Sequence, residues 1–305
     1  MKHAFILNPK AGHKSHVDEM SQFINENFKH LDYEIYETKA PLDATRFVKE
    51  YLAKYDGEVR FYSLGGDGTL NEVASGLIGV KRASLACFPL GSGNDFIKVF
   101  GKVDDFKDLK ELTESDAKSI DCLMVDDRTC INIVSFGFDA AVQFQMQKYR
   151  RLPLTGGPIA YDMAVMNALL FKISHEMEVE VDGKPFFKGK ALLMAVANGI
   201  CYGGGYHCAP IAKVDDGLID VCLVSKVSRF KIAGLVKVYK RGKHLENPKL
   251  EKYVHYTRAK NVLIKAASKK PLSYQIDGEP GKMNEMNIRI VENAINFVIP
   301  KHLLK

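Results

Sequence analysis

Gly65-Gly66-Asp67-Gly68-Thr69 sits between an apolar run and a helix-like run, with Leu70 and Asn71 next in the chain. A glycine-rich turn that opens a helix presents bare N–H groups and a positive dipole end, a shape suited to phosphate. A carboxylate in that turn opposes a bare anion but suits one that arrives with a divalent cation. Three other places have related chemistry. Asn8-Pro9-Lys10-Ala11-Gly12, Thr38 and Gly91-Ser92-Gly93-Asn94-Asp95 each follow a strand-like run. In a parallel α/β sheet all four loops fall at the carboxyl edge of the strands, where ligands bind. Taken singly, each is also an ordinary turn or cap: Asp95 suits an N-cap and Thr38 a turn. Four on one edge point to a phosphate ligand.

Two familiar phosphate signatures fail. Gly12-His13-Lys14-Ser15 lacks the glycine directly before the lysine that a Walker A loop needs. Gly66-Asp67-Gly68 and Gly91-Ser92-Gly93 each begin a G-x-G-x-x-G, but Asn71 and Phe96 stand where the third glycine belongs. A dinucleotide fingerprint on the first strand is absent, which disfavours a dehydrogenase.

The elements that must position these loops follow from periodicity. Strands are expected at 3–7, 33–36, 59–64 and 84–90, with helices over 17–28, 47–55 and 70–77 between them. This βαβαβαβ order implies a parallel sheet with helices on both faces. Near residue 120 the pattern changes to strands: 121–125 and 129–136 flank Asp126-Asp127-Arg128, and 177–181 and 186–190 flank Asp182-Gly183. Further strands are expected at 191–197, 218–224, 261–266, 272–276, 288–291 and 295–299, with helices at 140–149, 160–171 and 230–241. The domains expected are an α/β unit over 1–122, with 296–305 a candidate to return to it, and a β-rich unit over 123–295.

At 305 residues the chain has room for one large domain or two ordinary ones. No window approaches the roughly 20 apolar residues of a membrane span. The first apolar stretch is too short for a signal peptide, so a cytoplasmic protein is expected. Six scattered cysteines without a CxxC pair read as reduced thiols in the core and argue against zinc. A net charge of +6 is too weak to argue nucleic acid, and it suits a nucleotide or anionic lipid.

With NPKAG upstream, LNE after GGDGT and GSGNDF downstream, the chain resembles the diacylglycerol kinase catalytic family, which includes bacterial soluble lipid kinases. Ser135–Ala140, Lys213–Leu218 and Ile276-Asp277-Gly278-Glu279 extend the resemblance over nearly the whole chain. It implies an NAD-kinase-like α/β domain followed by a β-sandwich domain, with the nucleotide between them. It also implies ATP-dependent, Mg²⁺-assisted phosphorylation of a lipid hydroxyl, most simply diacylglycerol, at the inner face of the membrane. Asn8–Gly12, Thr38, Gly65–Asn71 and Ser92 are then expected around the nucleotide, with Asn94 and Asp95 beside them. Serine at position 92 replaces the family's usual threonine and keeps the hydroxyl. Asp67 is expected to face the metal or its waters. The Asp216 carboxylate, with the carbonyls of Lys213 and Leu218, is expected to bind a structural Mg²⁺, while Asp215 is solvated and Asp220 points outward.

Phosphoryl transfer needs a group to take the acceptor's proton. Asp277 is the candidate base and Glu279 the competing assignment, on the same face if the chain stays extended. A plain Asp-Gly hairpin turn is the alternative for Asp277. Phe144, Met146, Met163, Met166, Leu169, Leu170 and Phe171 suit core packing, and Lys148, Tyr149, Arg150 and Arg151 suit anionic head groups or a solvated face. NAD kinase and a non-catalytic lipid or nucleotide sensor are the rival functions. β-sandwich edges offer a route to a homodimer.

Overall fold

Strands β1 (Lys2–Leu7), β3 (Val59–Gly65) and β4 (Ala83–Pro89) are buried along nearly their whole length, the mark of a parallel sheet covered on both faces. They belong to a computed structural model that describes residues 1–11, 16–137 and 174–304. The chain divides into two units. The first comprises Met1–Cys122, Val214–Gly217 and Val291–Lys305; the second comprises Leu123–Lys213 and Leu218–Ile290.

In the first unit, helices α1 (His16–Asn27), α2 (Asp43–Lys54) and α3 (Asp67–Leu77) alternate with the strands, and β2 (Tyr33–Glu37) stands between α1 and α2. The parallel order is β2-β1-β3-β4, followed by the last part of β15 (Glu285–Val298), where Asn296 pairs with Ser84. Aromatic rings fill the core: Phe5 stacks on Tyr62 at 4.4 Å between centroids, and Tyr36 on Phe47 at 3.9 Å. Short α4 (Leu109–Glu114) was not expected from periodicity; its Asp108 accepts the Lys110 and Glu111 amides and starts it. Next, β5 (Ala117–Val125) leads into the second unit.

The second unit is antiparallel. Its strands are β6 (Arg128–Cys130), β7 (Ile133–Gly137), β8 (His175–Val181), β9 (Lys184–Ala197), β10 (Ile219–Ser225), β11 (Val254–Ala259), β12 (Asn261–Ala266), β13 (Leu272–Ile276) and β14 (Glu279–Met283). They run in the order β14-β13-β7-β9-β8-β12-β15, and β9 also carries β10, which carries β11. Period-two alternation splits the core in two. Met194, Val196, Val221 and Leu223 enter one cluster, while Leu193, Ala195, Cys222 and Val224 enter the other. Helix α5 (Arg229–Lys240) covers the second cluster with Ile232, Leu235 and Tyr239. The α/β domain and the β-sandwich-like domain are therefore both present. All six cysteines are buried free thiols.

Some expected elements differ. The strand foreseen over 129–136 breaks at Ile131-Asn132, whose amides turn to a side chain instead of a ladder partner. The pairs 186–190 with 191–197, and 288–291 with 295–299, fuse into the 14-residue strands β9 and β15. The expected helices over 140–149 and 160–171 lie outside the described residues, as do the apolar and basic side chains singled out on them.

Candidate active site

The phosphate-like loop is built as the sequence suggests. Helix α3 starts at Asp67, with Gly66 as an extended N-cap, so the first-turn amides have no intrahelical acceptor. Gly65 O accepts from Leu90 N at 2.8 Å and Gly91 N at 3.2 Å, which brings the second glycine loop alongside. The approach is backbone to backbone: a Cβ on Gly91 would lie 2.5 Å from the Cα of Gly66. Asn8 closes the third side, donating from Nδ2 to Thr69 Oγ1 at 2.8 Å while its Oδ1 accepts from Lys10 N at 2.9 Å. The loops surround a cavity of about 600 Å³ whose wall includes Asn8, Lys10, Ala11, Gly66–Thr69 and Gly91–Gly93.

Asp67 is committed in part to the protein. Its Oδ1 accepts from Asp95 N at 2.7 Å and Phe96 N at 3.3 Å, tying the start of α3 to the neighbouring loop. Those amides offset the carboxylate's charge within the anion-binding turn. Asp95 does not cap with its side chain; it pairs with Lys98 Nζ at 2.6 Å. Asn94 takes left-handed φ of 46° and donates to Gly91 O, while its buried Oδ1 has no partner among the described residues. Ser92 is exposed on the cavity wall. Leu70 is buried in α3, and Thr38 is buried at the end of β2, donating its amide to Leu7 O; neither lines the cavity. Gly12 lies outside the described residues. The first-turn amides of α3 beside the oxygen acceptors Asp67 and Asn94 suit a magnesium–nucleotide pair: the amides match phosphate and the oxygens a hard cation.

In the second unit, Asp277 and Gly278 form the two-residue turn between β13 and β14, with φ of 46° and 89°. Both values are left-handed, as a type I′ hairpin requires. The chain is thus not extended from Asp277 to Glu279, and the two carboxylates do not share a strand face. Glu279 is half-exposed and paired with Arg128 at 2.7 Å. Asp277 turns to the break between β6 and β7. Its Oδ1 accepts from Asn132 N, Ile133 N and the Cys130 thiol, and its Oδ2 from Ile131 N at 2.8 Å. Burial raises its pKa above the usual carboxylate value, against the pull of these donors.

The same device occurs twice more. Asp126 and Asp182 also open hairpins with left-handed φ, and each accepts a neighbouring strand's amide: Asn287 N for Asp126, Lys260 N and Asn261 N for Asp182. Both are exposed, whereas Asp277 is half-buried.

Asp216 is half-buried in the first unit's Val214–Gly217 segment, and Lys213 and Leu218 belong to the second unit. Gly217, with φ of 70°, donates its amide to Asp121 Oδ2 at 2.8 Å; Asp121 Oδ1 accepts from Asn293 N. Asp121 therefore fastens this loop, a role periodicity had hidden by placing it in a strand. Asp215 is not merely solvated but pairs with Lys118 at 2.5 Å. Asp220 corrects the outward assignment: it is fully buried, accepts from the Tyr256 hydroxyl and lies 3.5 Å from Arg258 Nε. Among the described residues no group of three His, Cys, Asp or Glu side chains is placed to hold a metal. Cation binding here would rest on main-chain oxygens with single carboxylates.

Residues 2–125 match the diacylglycerol kinase catalytic domain, and residues 132–299 match the YegS C-terminal NAD kinase beta sandwich-like domain. The chain is 29% identical over 308 residues to a diacylglycerol kinase of Bacillus subtilis, covering 99% of this chain and 97% of that protein. It is 30% identical over 264 residues to a "probable lipid kinase YegS-like" protein of Shewanella frigidimarina, covering 85% and 81%. A crystal structure of a diacylglycerol kinase from Bacillus anthracis superposes with a TM-score of 0.73 over 99% of this chain and 98% of that one, at 21% identity.

Proposed function

The chain belongs to the bacterial lipid kinase family that joins a diacylglycerol kinase catalytic domain to a YegS C-terminal domain, and from that premise we propose that it transfers the γ-phosphate of ATP to diacylglycerol. The acceptor hydroxyl oxygen attacks the γ-phosphorus, the bond to the β-phosphate oxygen breaks, and phosphatidic acid and ADP leave. The first unit is the nucleotide-binding part in this reading. Asn8, Lys10 and the amides opening α3 hold the phosphates, and Ser92 completes the surround; Thr38 stands behind it, its amide fastened to Leu7 O beside Asn8. Asp67 orients a Mg²⁺ ion or its waters. That ion would neutralise developing phosphate charge. Asp216 with the carbonyls of Lys213 and Leu218 holds a second, structural one, and the second unit carries the lipid-acceptor side.

Asp277 is the base. The observation that carries this assignment is its pinned carboxylate: Oδ1 takes three donors, but Oδ2 takes one and keeps a lone pair to accept the hydroxyl proton. Its raised pKa suits that task. Glu279, held by Arg128, is ranked below it.

The exposed twin, Asp182, supplies the control. Asp277→Asn is expected to lower kcat by at least about 1,000-fold with nucleotide affinity retained. Asp182→Asn, which makes the same exchange at the same place in a matching hairpin, is expected to keep kcat. Equal effects of the two substitutions would reduce Asp277 to a turn residue. Radiolabelled ATP offered to a lipid panel and to NAD checks the acceptor: label in NADP rather than lipid would make the protein an NAD kinase.

A further inference from the structure

We propose that α5 and the loop after it form the face by which the protein rests on an anionic lipid bilayer. The inference deepens the lipid kinase reading, since an acceptor resident in a bilayer requires the enzyme to come to its surface. Charge is the first observation. Residues 226–253 hold nine Lys or Arg against two Asp or Glu, whereas the whole chain holds 43 against 37. The rest of the chain thus has one more acid than base, and the entire positive excess resides in these 28 residues. Seven of the nine, from Lys226 to Lys252, have described side chains, and all seven are exposed. Lys243 is paired with Glu246, and Lys240 and Lys252 lie over the rings of Tyr206 and Tyr253. Lys226, Lys237, Arg241 and Lys249 make no ion pair among the described residues.

Shape is the second observation. The inward face of α5 is spent on Ile232, Leu235 and Tyr239. Its other side presents Gly234, Lys237, Val238 and Arg241, spaced three and four apart on one face. Gly234 and Val238 open onto a cavity of about 830 Å³ whose apolar wall also includes Val227, Leu250 and Tyr253, with Lys249 and Lys252 on the same wall against one acid, Glu251. A Cβ on Gly234 would meet nothing within 4 Å. A cationic rim around an apolar hollow matches an amphiphile with an anionic head. A nucleic acid would satisfy the rim and leave the hollow without a partner, so the bilayer is the better fit.

The full chain is tested by co-sedimentation with phosphatidylcholine vesicles, with and without phosphatidylglycerol. Binding is expected only with the anionic lipid and to fall with salt. Each basic residue near such a surface contributes about fivefold in partitioning, so the triple variant K237E/R241E/K249E is expected to bind on the order of 100-fold more weakly. Gly234→Glu places a carboxylate in the hollow at a position where a helix gains from losing glycine, and it too is expected to lose vesicles with its circular dichroism unchanged. Undiminished binding by the triple variant, or equal binding to neutral vesicles, overturns the proposal. Tighter retention on duplex DNA than on anionic vesicles, unaffected by Gly234→Glu, also overturns it and reassigns the face. With diacylglycerol dispersed in detergent micelles, the triple variant is expected to keep wild-type kcat. If the wild type phosphorylates no lipid yet sediments through these residues, the kinase reading falls and the docking face stands.

Discussion

Gly68 and Gly91 both line the phosphate-like cavity, and their surroundings make them opposites. A Cβ on Gly68 meets nothing within 4 Å, whereas on Gly91 it would strike the Gly66 backbone at 2.5 Å and Asn94 Oδ1 at 2.9 Å. Gly68→Ala is therefore expected to leave the free energy of unfolding unchanged or raised by up to ~1 kcal/mol, and to weaken ATP binding only through crowding of the cavity. Gly91→Ala is expected to cost about 1–3 kcal/mol and to weaken ATP at least tenfold, because the two loops must part. Urea titration and calorimetry on both variants separate the two cases. The clustering of glycine loops was legible in the sequence, since turn chemistry is local. The destination of the Asp67 carboxylate was not, because its partners are amides 28 and 29 residues away. Asp277 shows the same limit: Asp-Gly announced a turn, but only the fold shows which amides fill it.

Helices α2 and α3 are joined by a residue from the same glycine-rich motif. Glu72 Oε2 accepts the Ala44 amide at the start of α2 at 3.3 Å, and Glu72 O accepts the Thr45 hydroxyl at 2.6 Å. Behind them Gly76 leaves so little space that a Cβ would sit 2.6 Å from Val48 Cγ1. Glu72 thus acts as a cap supplied by another helix. Glu72→Ala is expected to lower stability by about 0.5–1 kcal/mol and leave kcat unchanged, measured by urea unfolding beside the kinase assay. A collapse of kcat at intact stability would place Glu72 in the chemistry instead. At this scale the α/β half was readable because its buried parallel strands and amphipathic helices have distinct periods. β14 escaped because Glu-Pro-Gly-Lys-Met has no apolar alternation; it is held by pairing with β13. The break between β6 and β7 escaped because distant groups, not local residues, impose it.

For the molecule as a whole, two buried histidines tie stability to pH. Burial, chiefly, lowers His3 and His244 to about 4. Unfolded histidine titrates near 6.5, so between about pH 6.5 and 4 the unfolded chain binds protons that the folded chain refuses. Their contribution to stability is full above that window and lost as pH falls through it. The urea midpoint is expected to decline from pH 7 to 4.5, and NMR titration is expected to show both imidazoles neutral until near pH 4. A histidine that protonates at its ordinary value would remove its share of that slope. Two domains were foreseeable from the change of strand pattern near residue 120, but the loop Val214–Gly217 belongs to the first unit through contacts no pattern encodes. The strand beside β4 comes from the far end of the chain, residues 291–298 of β15. A ribosome therefore releases the entire second unit before the last strand of the first sheet exists. A shortened gene ending at residue 125, where the catalytic-domain match stops, would yield a β4 edge with nothing to cover it. Such an edge recruits strands from other molecules, so this fragment is expected to precipitate where the whole chain does not.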